Sequence, residues 1–117
     1  MTKKIYEKLF YNALRIRKIE EEVVRLYPTD KIQSPVHLSI GQEATAVGVC
    51  LNMKKGDLIY SSYRGHAIYF ATGGSLKSFF SELFGKVNGI SGGKAGSMHL
   101  SNRKNGMMGS SAIVSST

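Results

Sequence analysis

The stretch Leu58-Ile59-Tyr60-Ser61-Ser62-Tyr63-Arg64-Gly65-His66 decides how this chain is read. Leu58-Ile59-Tyr60 is short, apolar and partly β-branched, which predicts a buried strand of a parallel sheet. Ser61 to Gly65 then leave the carboxyl end of that strand, the edge where open α/β sheets bind ligands. Tyr63-Arg64 stands at that edge. A guanidinium just past a strand end can fork onto two phosphate oxygens, and Gly65 lets the backbone come close. By chemistry alone, an arginine solvated on a loop is the more ordinary reading.

Upstream, Ile5, Leu9, Ala13, Ile16, Ile19, Val23 and Leu26 recur at helical spacing. They predict one amphipathic helix over about 2–27, ended by Pro28. Glu21 and Arg25 are expected to pair across one turn. The apolar stripe is wide enough to pack inside the domain or against a second subunit. Ser39 reads as an N-cap with Gln42 three residues on, opening a helix over about 40–53. Lys54 and Lys55 suit the C-terminal dipole of that helix, and Gly56 suits the position just beyond it.

Downstream, a short helix is expected over about 66–71, stopping at Gly73-Gly74. Ser75 caps another, with Leu76, Phe79, Phe80 and Leu83 at core spacing. From Lys86 to Gly109 the chain is rich in Gly, Ser, Asn and Lys and reads as one long loop, a length usually associated with function or disorder. Ala112-Ile113-Val114 is the last apolar patch. Gly109 to Thr117 carries no charge and reads as the start of a buried helix that has been cut.

Composition narrows the function classes. The 117 residues suit one domain. The net charge of +8 raises a nucleic-acid reading. Against it, the basic residues are scattered, and Arg15, Arg17 and Lys18 run straight into Glu20, Glu21 and Glu22. No nucleic-acid partner is expected. Cys50 is the one cysteine, so no disulfide framework exists and a cytoplasmic place is expected. No apolar run approaches the roughly 18 residues of a membrane span. His37, His66 and His99 lack cysteine or close carboxylate partners, so no metal site is assigned to this chain.

Three blocks remain: His37-Leu38-Ser39-Ile40-Gly41-Gln42-Glu43-Ala44, then Ser62-Tyr63-Arg64-Gly65-His66, then Gly92-Gly93-Lys94-Ala95-Gly96-Ser97-Met98-His99. Ala95 follows Lys94 where a nucleotide P-loop needs a hydroxyl, so the third block is not one. In this order the blocks resemble the front end of the thiamine-diphosphate-dependent 2-oxo acid dehydrogenase alpha subunits, the pyruvate, acetoin and branched-chain enzymes.

That resemblance implies a fold and a site. The fold would be the N-terminal portion of a three-layer α/β thiamine-diphosphate-binding domain with a parallel sheet. Residues 1–117 would form a partial domain, with active-site loops at about 61–66 and 85–109. Tyr63 and Arg64 would bind the cofactor diphosphate. Ala112 and Val114 would pack against its aminopyrimidine ring. His99 would stand at the active-site entrance, with His66 near it as a second catalytic candidate. Glu43 is expected in a structural salt bridge or subunit contact. Magnesium would accompany the cofactor, its ligands lying beyond Thr117. The reaction implied is decarboxylation of a 2-oxo acid, or cleavage of acetoin, with the acyl group passed to lipoamide. The partners implied are a beta subunit, in a heterotetramer, and a lipoyl-bearing acyltransferase. The alternative expectation is a short non-catalytic or split-enzyme chain that binds a complementary subunit.

Overall fold

Helix α1 (Lys3–Leu26) opens the computed structural model, which describes residues 2–110. Thr2 caps it by accepting the Ile5 N–H on its hydroxyl. Pro28 then converts the chain into a single tight turn, Tyr27–Thr29. Only the second half of α1 is buried: Ile16, Ile19, Glu20 and Val23 face the core. On the first half, Ile5, Tyr6, Phe10, Tyr11 and Leu14 are exposed.

Four further elements follow α1. Helix α2 (Glu43–Cys50) and helix α3 (His66–Ala71) both pack on it. Strand β1 (Ile59–Ser61) lies between them in sequence, and helix α4 (Leu76–Leu83) follows. Ser75 caps α4, its hydroxyl accepting the Ser78 N–H at 3.2 Å. Phe79 of α4 is wholly buried, with Phe70 edge-on at 4.7 Å and the His66 ring edge-on at 5.0 Å. Such aromatic pairs add to the energy of area burial.

Strand β2 (Met107–Ser110) pairs with β1 in parallel, Ile59 opposite Met107 and Ser61 opposite Ser110, with a bulge after Ile59. The α/β class and the parallel sheet are therefore present among the described residues. The sequence reading left 107–109 inside a long loop and read 109–117 as the start of a buried helix, but 109 and 110 belong to the strand. Met107-Met108-Gly109 has little intrinsic strand preference, so pairing with β1 decides its conformation. Gly106 makes that pairing possible. Its φ is +93°, and a Cβ there would lie 2.4 Å from the Asp57 carbonyl. Only glycine lets the Ile59 N–H reach the Gly106 carbonyl at 2.8 Å.

Other expectations are corrected. The second helix starts at Glu43, not Ile40, and Ser39 is not its cap. Ser39 is buried, and its groups are engaged elsewhere in the core. The helix also ends at Cys50, and Gly56 (φ +97°) serves a separate turn before β1. Arg25 pairs with Glu22, not Glu21, through two hydrogen bonds.

Candidate active site

Parallel strands end at the same edge, so the register of β1 and β2 brings two distant loops together. Ser61 faces Ser110. Tyr63 and Arg64 follow Ser61, and His99 reaches back to Ser110, its Nδ1 lying 3.4 Å from the Ser110 carbonyl oxygen. The Ser110 hydroxyl lies 3.1 Å from the Met98 carbonyl and 3.0 Å from the Leu100 carbonyl, gripping the chain on both sides of His99. His99 itself is exposed.

Arg64 is also exposed, and both its guanidinium and its backbone carbonyl are tied to the block before it. Nη1 donates to the Leu38 carbonyl at 2.8 Å, and the Arg64 carbonyl accepts the Ser39 hydroxyl at 3.3 Å. The guanidinium lies 5.6 Å from the centre of the Tyr63 ring, which in turn meets the His37 ring at 4.3 Å. Two of the three sequence blocks thus converge on one surface. The remaining Arg64 N–H groups have no protein acceptor among the described residues. They can meet an anion in the forked geometry that suits phosphate.

His66 faces the other way. It is fully buried at the start of α3. Its Nδ1 lies 2.7 Å from Glu20 Oε1, and its Nε2 lies 2.5 Å from the Ser97 hydroxyl. Both ring nitrogens are occupied by protein, so His66 stands behind the exposed edge. Ser–His–Glu order alone suggests a hydrolytic triad, but Ser97 is only 1% exposed and no substrate can reach it.

The glycine-rich block is held from beneath. Glu82, buried in α4, accepts the backbone N–H groups of Ser91 and Gly93 on one carboxylate oxygen. It accepts those of Ala95 and Gly96 on the other, at 3.0 and 3.1 Å. Burial alone would raise its pKa, but these four donors together hold it below the ordinary carboxylate value. Ser34 accepts the Ser97 N–H at 3.2 Å. Glu43 is the salt-bridge residue that the sequence led us to expect. Its hydrogen bonds from Arg17 set its carboxyl at about 2, against the penalty of burial.

Glu20, Ser97, Glu82 and Ser110 were not singled out from the sequence. A signal existed for two of them. Glu20 falls on the buried stripe of α1 between Ile16 and Val23, and Glu82 stands beside Phe79 and Leu83. An acid on a buried face must be paired. A polar cleft lined by Lys54, Lys55, Asp57, Arg103 and Lys104 lies at the opposite end of the strands and holds none of these residues. Ala112 and Val114 lie outside the described residues.

The class defined here is an α/β domain whose parallel strands deliver an arginine and a histidine to one edge. The chain belongs to the dehydrogenase E1 component family, whose model matches residues 11–117. It is 41% identical over 106 residues to the alpha subunit of acetoin:2,6-dichlorophenolindophenol oxidoreductase of Bacillus subtilis, covering 91% of this chain and 32% of the relative. It is 40% identical over 114 residues to the mitochondrial pyruvate dehydrogenase E1 alpha subunit of Chaetomium thermophilum, covering 97% and 27%. The corresponding Saccharomyces cerevisiae subunit is 44% identical over 92 residues, covering 79% and 22%. The chain thus spans about a third or less of these curated relatives.

The described residues suit one end of a thiamine diphosphate. Arg64 offers unused donors at the strand edge, beside the Tyr63 phenol. They do not suit the metal that accompanies a diphosphate. Magnesium takes oxygen ligands in octahedral order, and no cluster of three or more His, Cys, Asp or Glu that could hold a metal occurs among the described residues. No helix among them is long and apolar enough to cross a membrane.

Proposed function

We propose that this chain is the N-terminal part of an alpha subunit of a thiamine-diphosphate-dependent 2-oxo acid dehydrogenase, acting on pyruvate, a related 2-oxo acid or acetoin. The full domain is a three-layer α/β structure with a parallel sheet. A beta subunit completes the site in a heterotetramer, and the acyl group passes to the lipoyl arm of an acyltransferase. The single buried cysteine suits a cytoplasmic place.

Each residue has a defined part in this reading. Tyr63 and Arg64 hold the diphosphate, the guanidinium matching two anionic oxygens at once. Ala112 and Val114 pack on the aminopyrimidine ring. His99 meets the substrate carboxylate or the lipoyl group, as an imidazolium or a neutral donor. His66 supports His99 from behind. Thiamine diphosphate supplies the electron sink that decarboxylation requires. Magnesium is held by residues outside 1–117.

The observation that supports this reading is the convergence of Arg64 and His99 on one strand edge through Ser61 and Ser110. The exposed apolar residues on the first half of α1 support a protein partner there. The 117-residue chain alone is expected to show no turnover and little cofactor affinity.

The test begins with the intact mass of the native polypeptide from its source cells. A mass well above 12.8 kDa, with peptides running past Thr117, supports the alpha-subunit reading. A mass of 12.8 kDa favours the alternative, a short or split chain whose partner supplies the metal ligands. The complex purified with its partners is then assayed with thiamine diphosphate, magnesium, a lipoyl domain and each candidate substrate. Acyl transfer from one of them supports the reading; absence of cofactor binding and turnover with all of them overturns it.

A further inference from the structure

Resting on that reading, we propose that Glu20 is a positioning residue shared by both arms of the site, fixing the Arg64 loop and the His99 loop from one buried carboxylate.

Glu20 lies in α1, is 0% exposed, and has only acceptor oxygens as a carboxylate. Oε2 accepts the Ser39 N–H at 2.7 Å. The Ser39 hydroxyl then donates to the carbonyl of Arg64. Oε1 accepts the Nδ1–H of His66 at 2.7 Å, and the opposite ring nitrogen meets the Ser97 hydroxyl. Ser97 is two residues from His99. One unbroken path therefore runs from Arg64 through Ser39, Glu20, His66 and Ser97 to the segment carrying His99. Every member except Arg64 is buried, and no buried side-chain polar atom lacks a partner among the described residues. Networks of this kind specify a unique arrangement when every member is satisfied.

The path also fixes a tautomer. With Glu20 accepting at Nδ1, Nε2 of a neutral His66 accepts the Ser97 proton. Glu20→Gln keeps the shape and reverses the polarity. Its amide oxygen accepts from Ser39, its NH2 donates to Nδ1, and His66 must move its proton to Nε2. Glu82 is a second, independent hold on the same loop, so removal of Glu20 should loosen the site without unfolding it.

The experiment uses the assembled enzyme. Ser97→Ala should lower kcat about tenfold with a smaller rise in the cofactor's half-saturating concentration, and Ser39→Ala should do the reverse. Glu20→Ala should carry both defects, and Glu20→Gln should recover most of each. Nitrogen-15 spectra of His66 should show Nδ1 protonated in the wild type and Nε2 protonated in Glu20→Gln. A merely structural Glu20 would lower Tm in Glu20→Ala but separate neither arm and shift no tautomer. The proposal is overturned if Ser97→Ala and Ser39→Ala both stay within about twofold of wild type in both quantities, or if the His66 tautomer is the same in the wild type and Glu20→Gln. Absence of cofactor binding by the wild type would overturn the functional reading instead. The His66 spectra would still decide whether Glu20 sets the His66 tautomer.

Discussion

Arg17 of α1 and Glu43 at the start of α2 are joined by two parallel hydrogen bonds of 2.7 and 2.9 Å. The carboxylate also accepts the Gly41 N–H, so one side chain ties α1, the turn before α2, and α2 itself. Its pKa falls from 4.5 to about 2. The folded state therefore binds this proton less tightly than the unfolded state. The stabilisation is fully present above pH 4.5 and is lost as the pH falls through about 2. Arg17 is 40% exposed, so solvent screens the pair and its contribution is small. Urea titrations of Glu43→Gln should show that loss at pH 7 and a difference from wild type that shrinks towards pH 2. An equal deficit at every pH would show that the charge is not what matters.

Gly96 carries φ +72°, and a Cβ there would lie 2.6 Å from Ser34 Cβ. Gly96→Ala should destabilise the fold by about 2 kcal/mol through strain and crowding together. Adding Ser34→Gly removes the crowding, and with it the Ser97 acceptor, but not the left-handed backbone, so measured against Ser34→Gly alone only part of the loss should return. Full recovery in the double variant, measured by denaturant unfolding, would mean that the backbone is not strained.

Arg64→Ala in the assembled enzyme should weaken thiamine diphosphate binding by about tenfold or more, as loss of a charge-assisted pair does. Arg64→Lys should restore only part, because an ammonium cannot fork onto two oxygens. Calorimetric titration of the cofactor measures both. Wild-type affinity in Arg64→Ala would remove Arg64 from the diphosphate site.

His99→Ala should act on the other quantity. Loss of a positioned acid, base or charge partner slows turnover by about 100-fold, while cofactor affinity changes far less. Steady-state kinetics at saturating cofactor tests this. If neither His99→Ala nor Arg64→Ala differs from wild type, the roles given to this edge are wrong.

The helices were legible because their signals are local. Ile16, Ile19 and Val23 mark the face of α1, Ser75 marks the start of α4, and Gly73 marks the stop after α3. Strand β1 was legible from three apolar residues to within one position, but its expected burial was not met, since Leu58 and Tyr60 are exposed. Ser39 misled because a serine three residues before a glutamine has the pattern of a capping box. A buried carboxylate from α1 competed for its N–H and won. Strand β2 was not legible, because its residues become a strand only beside β1.

The sequence by itself determined the family, the helical framework and the edge residues Tyr63, Arg64 and His99, since motif order and helical periodicity are properties of neighbouring residues. Only the tertiary structure decided which of the histidines faces outward and which is enclosed. His66 and His99 look alike in sequence, but His66 lies between Glu20 and Ser97 while His99 is exposed beside Ser110. The physical reason is that a buried polar group must find its partners wherever the chain brings them. Glu20 finds His66 from 46 positions away, a separation over which no local pattern carries information.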